Sequence, residues 1–210
     1  MAALPLLAGT ARESTAAAVA ELAAETKGKV CGTACDVTRP EDILRFYAYT
    51  DDQLGRLDIL VNNAGIGVFQ SVADMQLEDW QKTIQTNLTS VFQFCHLAIP
   101  RFRASGGGFI VNLSSLAGRN PFAGGAAYNA SKFGLNGFTE AVMLDHRADN
   151  VRVCSVMPGS VATEFNGVQS TAAWKIQAED IAEVVRMILQ MPERTMVSRV
   201  EIRPSKPGKS

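Results

Sequence analysis

The 210-residue sequence predicts an α/β fold: a doubly wound, mostly parallel sheet flanked by helices, in a single domain spanning residues 1–210. Two observations carry this expectation. Short apolar runs alternate with amphipathic helical patterns along the whole chain, without internal repeats or low-complexity tracts, and such alternation is the pattern of βαβ units. Hydrophobic residues make up 47% of the chain and charged ones 20%, enough apolar surface for one sizeable core.

The elements follow in order. Leu4 to Thr10 is a short apolar run that reads as a strand, and Ser14 to Lys27 is an Ala-rich helix with Ser14 suited to its N-cap. Lys29 to Val37 is strand-like. Pro40 to Leu54 reads as a helix whose proline lies in the first turn, where a missing N–H costs little. Arg56 to Asn62 is a buried strand, Leu77 to Ala104 one long helix with Pro100 near its end, and Phe109 to Leu113 another strand. The run Ser105-Gly106-Gly107-Gly108 precedes a strand instead of opening a helix, so it reads as a turn and not as a phosphate cradle. Gly125 to Arg147 is a helix, Val151 to Met157 a strand, Ala178 to Met191 a helix and Val197 to Ile202 a last strand, followed by a polar tail.

Composition narrows the partners. Lys plus Arg number 20 against 21 Asp plus Glu, a balance that gives no reason to expect nucleic acid or a membrane surface. A small molecule or another subunit is expected instead. Cys31, Cys35, Cys95 and Cys154 are scattered, without CxxC spacing beside a histidine, so reduced core thiols are expected and a metal site is not. The opening MAALPLLAGTA has a short apolar run with no basic residue before it, which favours a cytoplasmic protein over an exported one.

The stretch AAYNASKFG places Tyr128 and Lys132 four positions apart on a predicted helix, and therefore on one face. A phenol ordinarily titrates near pH 10, so proton transfer near neutrality asks for about 4 kcal/mol of extra phenolate stabilisation, of the kind a neighbouring ammonium supplies. YxxxK alone also describes a surface tyrosine beside a solvated lysine. Two further stretches shift the balance: VNLSSLAG (111–118) and VNNAG (61–65) each end a predicted parallel strand, the end at which ligands gather in open α/β sheets. Ser115 lies 13 positions before Tyr128.

Taken in order, CDV (35–37), VNNAG (61–65), NLTS (87–90), the Ser115, Tyr128 and Lys132 spacing and MPGSVAT (157–163) resemble the short-chain dehydrogenase/reductases over nearly the whole chain. The resemblance implies a Rossmann-like fold and an NAD(P)-dependent oxidoreductase acting on a small-molecule carbonyl or alcohol. It implies that Tyr128 is the general acid/base, that Ser115 hydrogen-bonds the substrate oxygen, and that Lys132 binds the nicotinamide ribose and lowers the Tyr128 pKa. Asn87 would hold a water in a proton relay, or serve only as a bend in its helix. Asp36, with Val37, would meet the adenine, or Asp36 would simply cap the turn after its strand. Asn62, Ala64 and Gly65 would line the adenosine and ribose, and Pro158, Gly159, Val161 and Thr163 would hold the nicotinamide carboxamide. Ala11-Arg12 after the first strand offers a guanidinium for a 2'-phosphate, which favours NADP over NAD, although Arg12 could also be a solvated surface residue. Ile84, Leu88, Val91, Phe92 and Leu97 are spread around the long helix, which by resemblance could pack against its twin in a homodimer or homotetramer. Glu164 to Lys175 is expected to form part of a substrate lid, with Phe165 and Trp174 as apolar contacts.

The departure from the family lies at the start. Its members open with a strand, a TGxxxGxG loop and a helix, and no such stretch precedes Leu4. LLAGTARES contains only Gly9 and cannot make the turn whose N–H groups reach a pyrophosphate. The absent strand belongs between the strands at 4–10 and 56–62, and an unrepaired gap there would cost roughly 1 to 3 kcal/mol for each unpaired buried backbone group. Three remedies are therefore open: residues 4–10 move to the centre, a partner repairs the sheet, or the chain is an N-terminally truncated form, which is the expectation. A catalytically silent scaffold, acting only in subunit association or regulation, is the functional alternative that the missing loop favours.

Overall fold

The computed structural model describes residues 6–9, 12–163, 165 and 172–206. Every expected element is present, with small shifts at the ends: β1 (Leu6–Gly9), α1 (Arg12–Glu25), β2 (Cys31–Ala34), α2 (Pro40–Leu54), β3 (Ile59–Asn62), α3 (Leu77–Ile84), α4 (Ser90–Ser105), β4 (Gly108–Leu113), α5 (Ala126–His146), β5 (Val151–Pro158), α6 (Ala178–Leu189) and β6 (Arg199–Ile202). The long helix expected over 77–104 is helical throughout but not uniform. A π-turn over Gln85–Thr89 separates α3 from α4.

Strands β3, β4, β5 and β6 form one all-parallel sheet in that order. Its two inner strands are buried on both faces, as parallel strands with helical cover are. Ile110 and Val153 pack with α2, α4 and α5 on one side, around Ile43, Phe94, Phe102 and Leu135. Phe109, Val111, Cys154 and Val156 face the other side, where Ile181, Val184 and Ile188 of α6 close over them. All four cysteines are buried thiols. No described helix is long and apolar enough to cross a membrane.

The centre of the sheet is where expectation and structure part. β1 pairs with β2 in a separate two-stranded sheet, and β3 has β4 as its partner. Residues 6–9, the described part of the strand expected over 4–10, therefore have not moved to the centre. The gap judged too costly is present among the described residues, and exposure explains how. Ile59 and Val61 are 43% and 45% exposed while Leu60 between them is buried, so β3 borders solvent, and a penalty that applies to buried backbone groups is relieved by water.

The turn from α4 to β4 is the glycine run read from the sequence. Gly106 caps the helix with φ of 87°, and the Gly107 N–H returns to the Phe102 carbonyl at 2.8 Å. Gly108 then passes directly beside the fully buried Phe102 ring: a Cβ there would lie 2.0 Å from Cδ1. Gly108→Ala is expected to lower stability by at least about 2 kcal/mol, read as a shift of the urea midpoint. A Ser105→Ala control in the same turn should move it far less.

Candidate active site

Because the four strands of the larger sheet run parallel, the residues that follow β3, β4 and β5 emerge on one edge, and α5 begins there. Ser115 stands two residues past β4 in extended backbone and caps a short 3-10 turn over Leu116–Gly118. Its Oγ accepts the Ala117 N–H at 3.1 Å and donates to the Pro158 carbonyl at 3.5 Å. Tyr128 lies in the first turn of α5 with its phenol beside Ser115. Lys132, one turn on, is 5% exposed and donates from Nζ to the Leu113 carbonyl at 2.9 Å. The structure thus brings Ser115, Tyr128, Lys132 and Pro158 together.

Asn87 joins them from the π-turn. Its Oδ1 accepts the Ile66 N–H at 2.8 Å, and its Nδ2 donates to the Ile66 carbonyl at 2.8 Å and to Ser131 Oγ at 3.0 Å. Ser131 in turn donates to the Tyr128 carbonyl at 2.8 Å. A Cβ on Gly65 would lie 3.5 Å from Asn87 Oδ1 and 3.7 Å from Lys132 Nζ, so the chain after β3, the π-turn and the α5 lysine meet at one point. A π-turn supplies the local widening that such a clamp needs.

Electrostatics departs from the sequence reading in one respect. Burial pushes the Tyr128 phenol above its ordinary value, and Ser115 beside it only partly offsets this. Lys132 does not lower it in the protein alone. Its ammonium sits 5.8 Å from the centre of the Tyr128 ring and is directed at Leu113, so desolvation of the phenolate wins. Burial also pulls the lysine itself down to about 8. At neutral pH the tyrosine is a protonated acid ready to donate.

A cleft of about 960 Å³ lies to one side, lined among others by Asp36, Val37, Thr38, Ile66, Trp80 and Gln85. Asp36 borders the cleft and caps its turn, with Oδ1 accepting the Thr38 N–H at 2.9 Å and hydroxyl at 2.7 Å. Asn62 turns inward, its amide donating to Asn112 Oδ1 at 2.8 Å, so its side chain is spent on the sheet and not on the cleft. Ala64 is exposed beside it. Gly159 N–H bonds the Ile202 carbonyl at 2.8 Å, Val161 forms a bridge with Ile176, and Thr163 follows, exposed. Arg12 begins α1, but its side chain lies outside the described residues, as do residues 164 and 166–171 of the expected lid. Sequence reasoning missed Ser131, Phe69 and Phe122. Ser131 stands inside YNASK, where the Asn87 partner could have been sought. The two phenylalanines sit in loops with no periodicity to flag them.

The residues present fit a nicotinamide nucleotide at its ribose end. An ammonium has three donors, and Lys132, almost wholly buried, has one described acceptor, the Leu113 carbonyl. Its position beside Gly65 suits a ribose diol.

Comparison with known proteins finds relatives over most of the chain. A family model described as short chain dehydrogenase matches residues 3–174. The chain is 33% identical over 171 residues to cyclohexanol dehydrogenase of Acinetobacter sp., covering 77% of this chain and 68% of that one. It is 30% identical over 187 residues to glycine betaine reductase ATRR of Emericella nidulans, covering 84% of this chain and 15% of that longer protein. The crystal structure of a metagenomic short-chain oxidoreductase in complex with NADP superposes with a TM-score of 0.85 at 33% identity, over 98% of this chain and 87% of that one.

Lys132 yields a pH prediction. A lysine whose folded pKa is about 8 against an ordinary 10.5 binds its proton less well in the folded chain, so its contribution to stability is most favourable above about 10.5 and is lost as the pH falls through about 8. Lys132→Met is therefore expected to be more stable than the parent at pH 7. That advantage should shrink by up to about 3 kcal/mol between pH 8 and 10.5, measured as the difference between the two proteins by chemical denaturation. A pH-independent difference would show that the lysine carries no burial penalty.

Proposed function

The chain belongs to the short-chain dehydrogenase family, and on that premise we propose that it is an oxidoreductase transferring hydride between NADP(H) and a carbonyl or secondary alcohol. The observation that carries this reading is the Tyr128 phenol beside Ser115 and one helical turn from the buried Lys132 ammonium. When bound, the nicotinamide supplies the hydride that reduces a carbonyl carbon, or takes the one an alcohol gives up. Ser115 orients the substrate oxygen by turning its hydroxyl from the Pro158 carbonyl to that oxygen. Tyr128 donates its hydroxyl proton to the oxygen in reduction and accepts it in oxidation. Lys132 holds the ribose, and Asn87 keeps the Ile66 backbone and Ser131 in place around it.

Support for NADP over NAD comes from Arg12 after β1, where a guanidinium suits a 2'-phosphate, and from the NADP bound in the similar structure. Subunit association through α4 belongs to the same reading, since Phe92 is half-exposed there against His96 and Phe138.

Tyr128→Phe is expected to cut turnover by about 10²–10⁴-fold while leaving NADPH binding, followed by fluorescence titration, within about twofold. Turnover that survives the substitution removes Tyr128 from the chemistry. A parent chain that neither binds NADPH nor turns over any carbonyl would instead be a silent scaffold. Arg12→Ala is expected to weaken NADPH about tenfold or more without changing NADH affinity in the same titration.

A further inference from the structure

We propose that Phe69, Phe122 and Phe165 form the wall that recognises substrate, and that the substrate is a neutral alicyclic ketone or the corresponding secondary alcohol. The inference rests on the reading of Ser115, Tyr128 and Lys132 as the reacting site. Three separate segments send one ring each to a single phenol: Phe69 after β3, Phe122 before α5, and Phe165 after β5. Their ring centres lie 5.6, 6.4 and 5.8 Å from that of Tyr128, and Phe69 packs on Phe122 at 5.5 Å and on Phe165 at 6.4 Å. The backbone is shaped for them. A Cβ on Gly67 would lie 2.8 Å from the Phe69 ring and 2.9 Å from that of Phe165, and one on Gly125 would lie 2.6 Å from Phe122.

These rings are not core. Phe69, Phe122 and Phe165 remain 48%, 45% and 39% exposed, whereas the phenylalanines of the sheet core, Phe94, Phe102 and Phe109, are buried. A cluster of half-exposed aromatic rings beside a buried acid is an apolar surface waiting for a ligand. Rigid rings present large contact area with little rotamer entropy to lose, and they favour a flat or compact ring seated edge-to-face or offset against them. A flexible open chain of equal carbon number would pay more conformational entropy for the same contact.

Neutrality follows from the charges nearby. The Lys132 ammonium is turned under the Tyr128 ring to Leu113. A carboxylate or phosphate against the three phenyl rings would lose hydration and find no described cation in contact with those rings to replace it.

The test is equilibrium binding by ligand-observed saturation-transfer NMR, with and without NADP⁺, using cyclohexanone, 2-hexanone, dihydroxyacetone and 4-oxocyclohexanecarboxylate as probes. Cyclohexanone is expected to bind about tenfold tighter than 2-hexanone and measurably tighter than the other two. Phe122→Ala should remove most of that preference. Phe122→Leu, which keeps the apolar volume and loses the ring, should remove it too while preserving the fold. Equal binding of the ring and open-chain ketones, tighter binding of the carboxylate, or no binding of any probe overturns the proposal. The outcome is separable from the assignment of Tyr128. Ring-selective binding that survives alongside an unaffected Tyr128→Phe enzyme upholds the wall and sinks the acid, and the converse result does the reverse.

Discussion

A buried ammonium ties this structure's functional edge together. Lys132 has almost no access to water, and its Nζ reaches the Leu113 carbonyl at the end of β4. An ion held in that way needs every partner it can find, so the first turns of α5 are pinned to the strand from which Ser115 emerges. The same helix face carries Tyr128, which is why a helix contact and a strand end suffice to set the phenol against the serine. Burial lowers the lysine's pKa to about 8, so at neutral pH the ammonium persists and carries the cost of its desolvation, which the bond to Leu113 offsets only in part.

A second constraint works from the opposite side. Asn87 holds both backbone groups of Ile66 and touches Ser131, so the chain leaving β3 is clamped to the helical layer at the π-turn. β3 itself is the outer strand of its sheet among the described residues, with half-exposed side chains on one face. The clamp therefore matters more here than it would for a strand held by neighbours on both edges, because β4 and Asn87 are what keep its end in register with the site. Asn62, donating across the sheet to Asn112, which donates in turn to Thr139, adds a buried polar chain in the same direction.

Much of this was legible beforehand. The alternation of apolar runs and helical patterns placed every element, since a period of 3.6 or a short apolar run is a local property. Tyr128 and Lys132 were legible as a pair because a four-residue spacing on a helix means one face. The Tyr128 acidity was not. Its sign depends on how far the phenol is desolvated and where the neighbouring ammonium points, and both are set by β4 and Ser115. The fate of Asn62 was hidden for the same reason: its motif suggested a cleft residue, and a partner 50 positions away took its amide inward. The open outer edge of β3 was not legible either, because the exposure of Ile59 and Val61 depends on what packs against the sheet.

By itself, then, the sequence determined the α/β class, the order and extent of the elements, and the placing of Tyr128 and Lys132 on one helix face, because these depend on periodicity and on residue type. Tertiary structure decided what those side chains face. Phe69, Phe122 and Phe165 are 43 to 96 positions apart in the chain when taken pairwise (Phe165 from Phe122, then from Phe69), yet pack around one phenol. No local pattern encodes that meeting, because it comes from three loops delivered to one edge by parallel strands, and only the packed sheet brings them within contact.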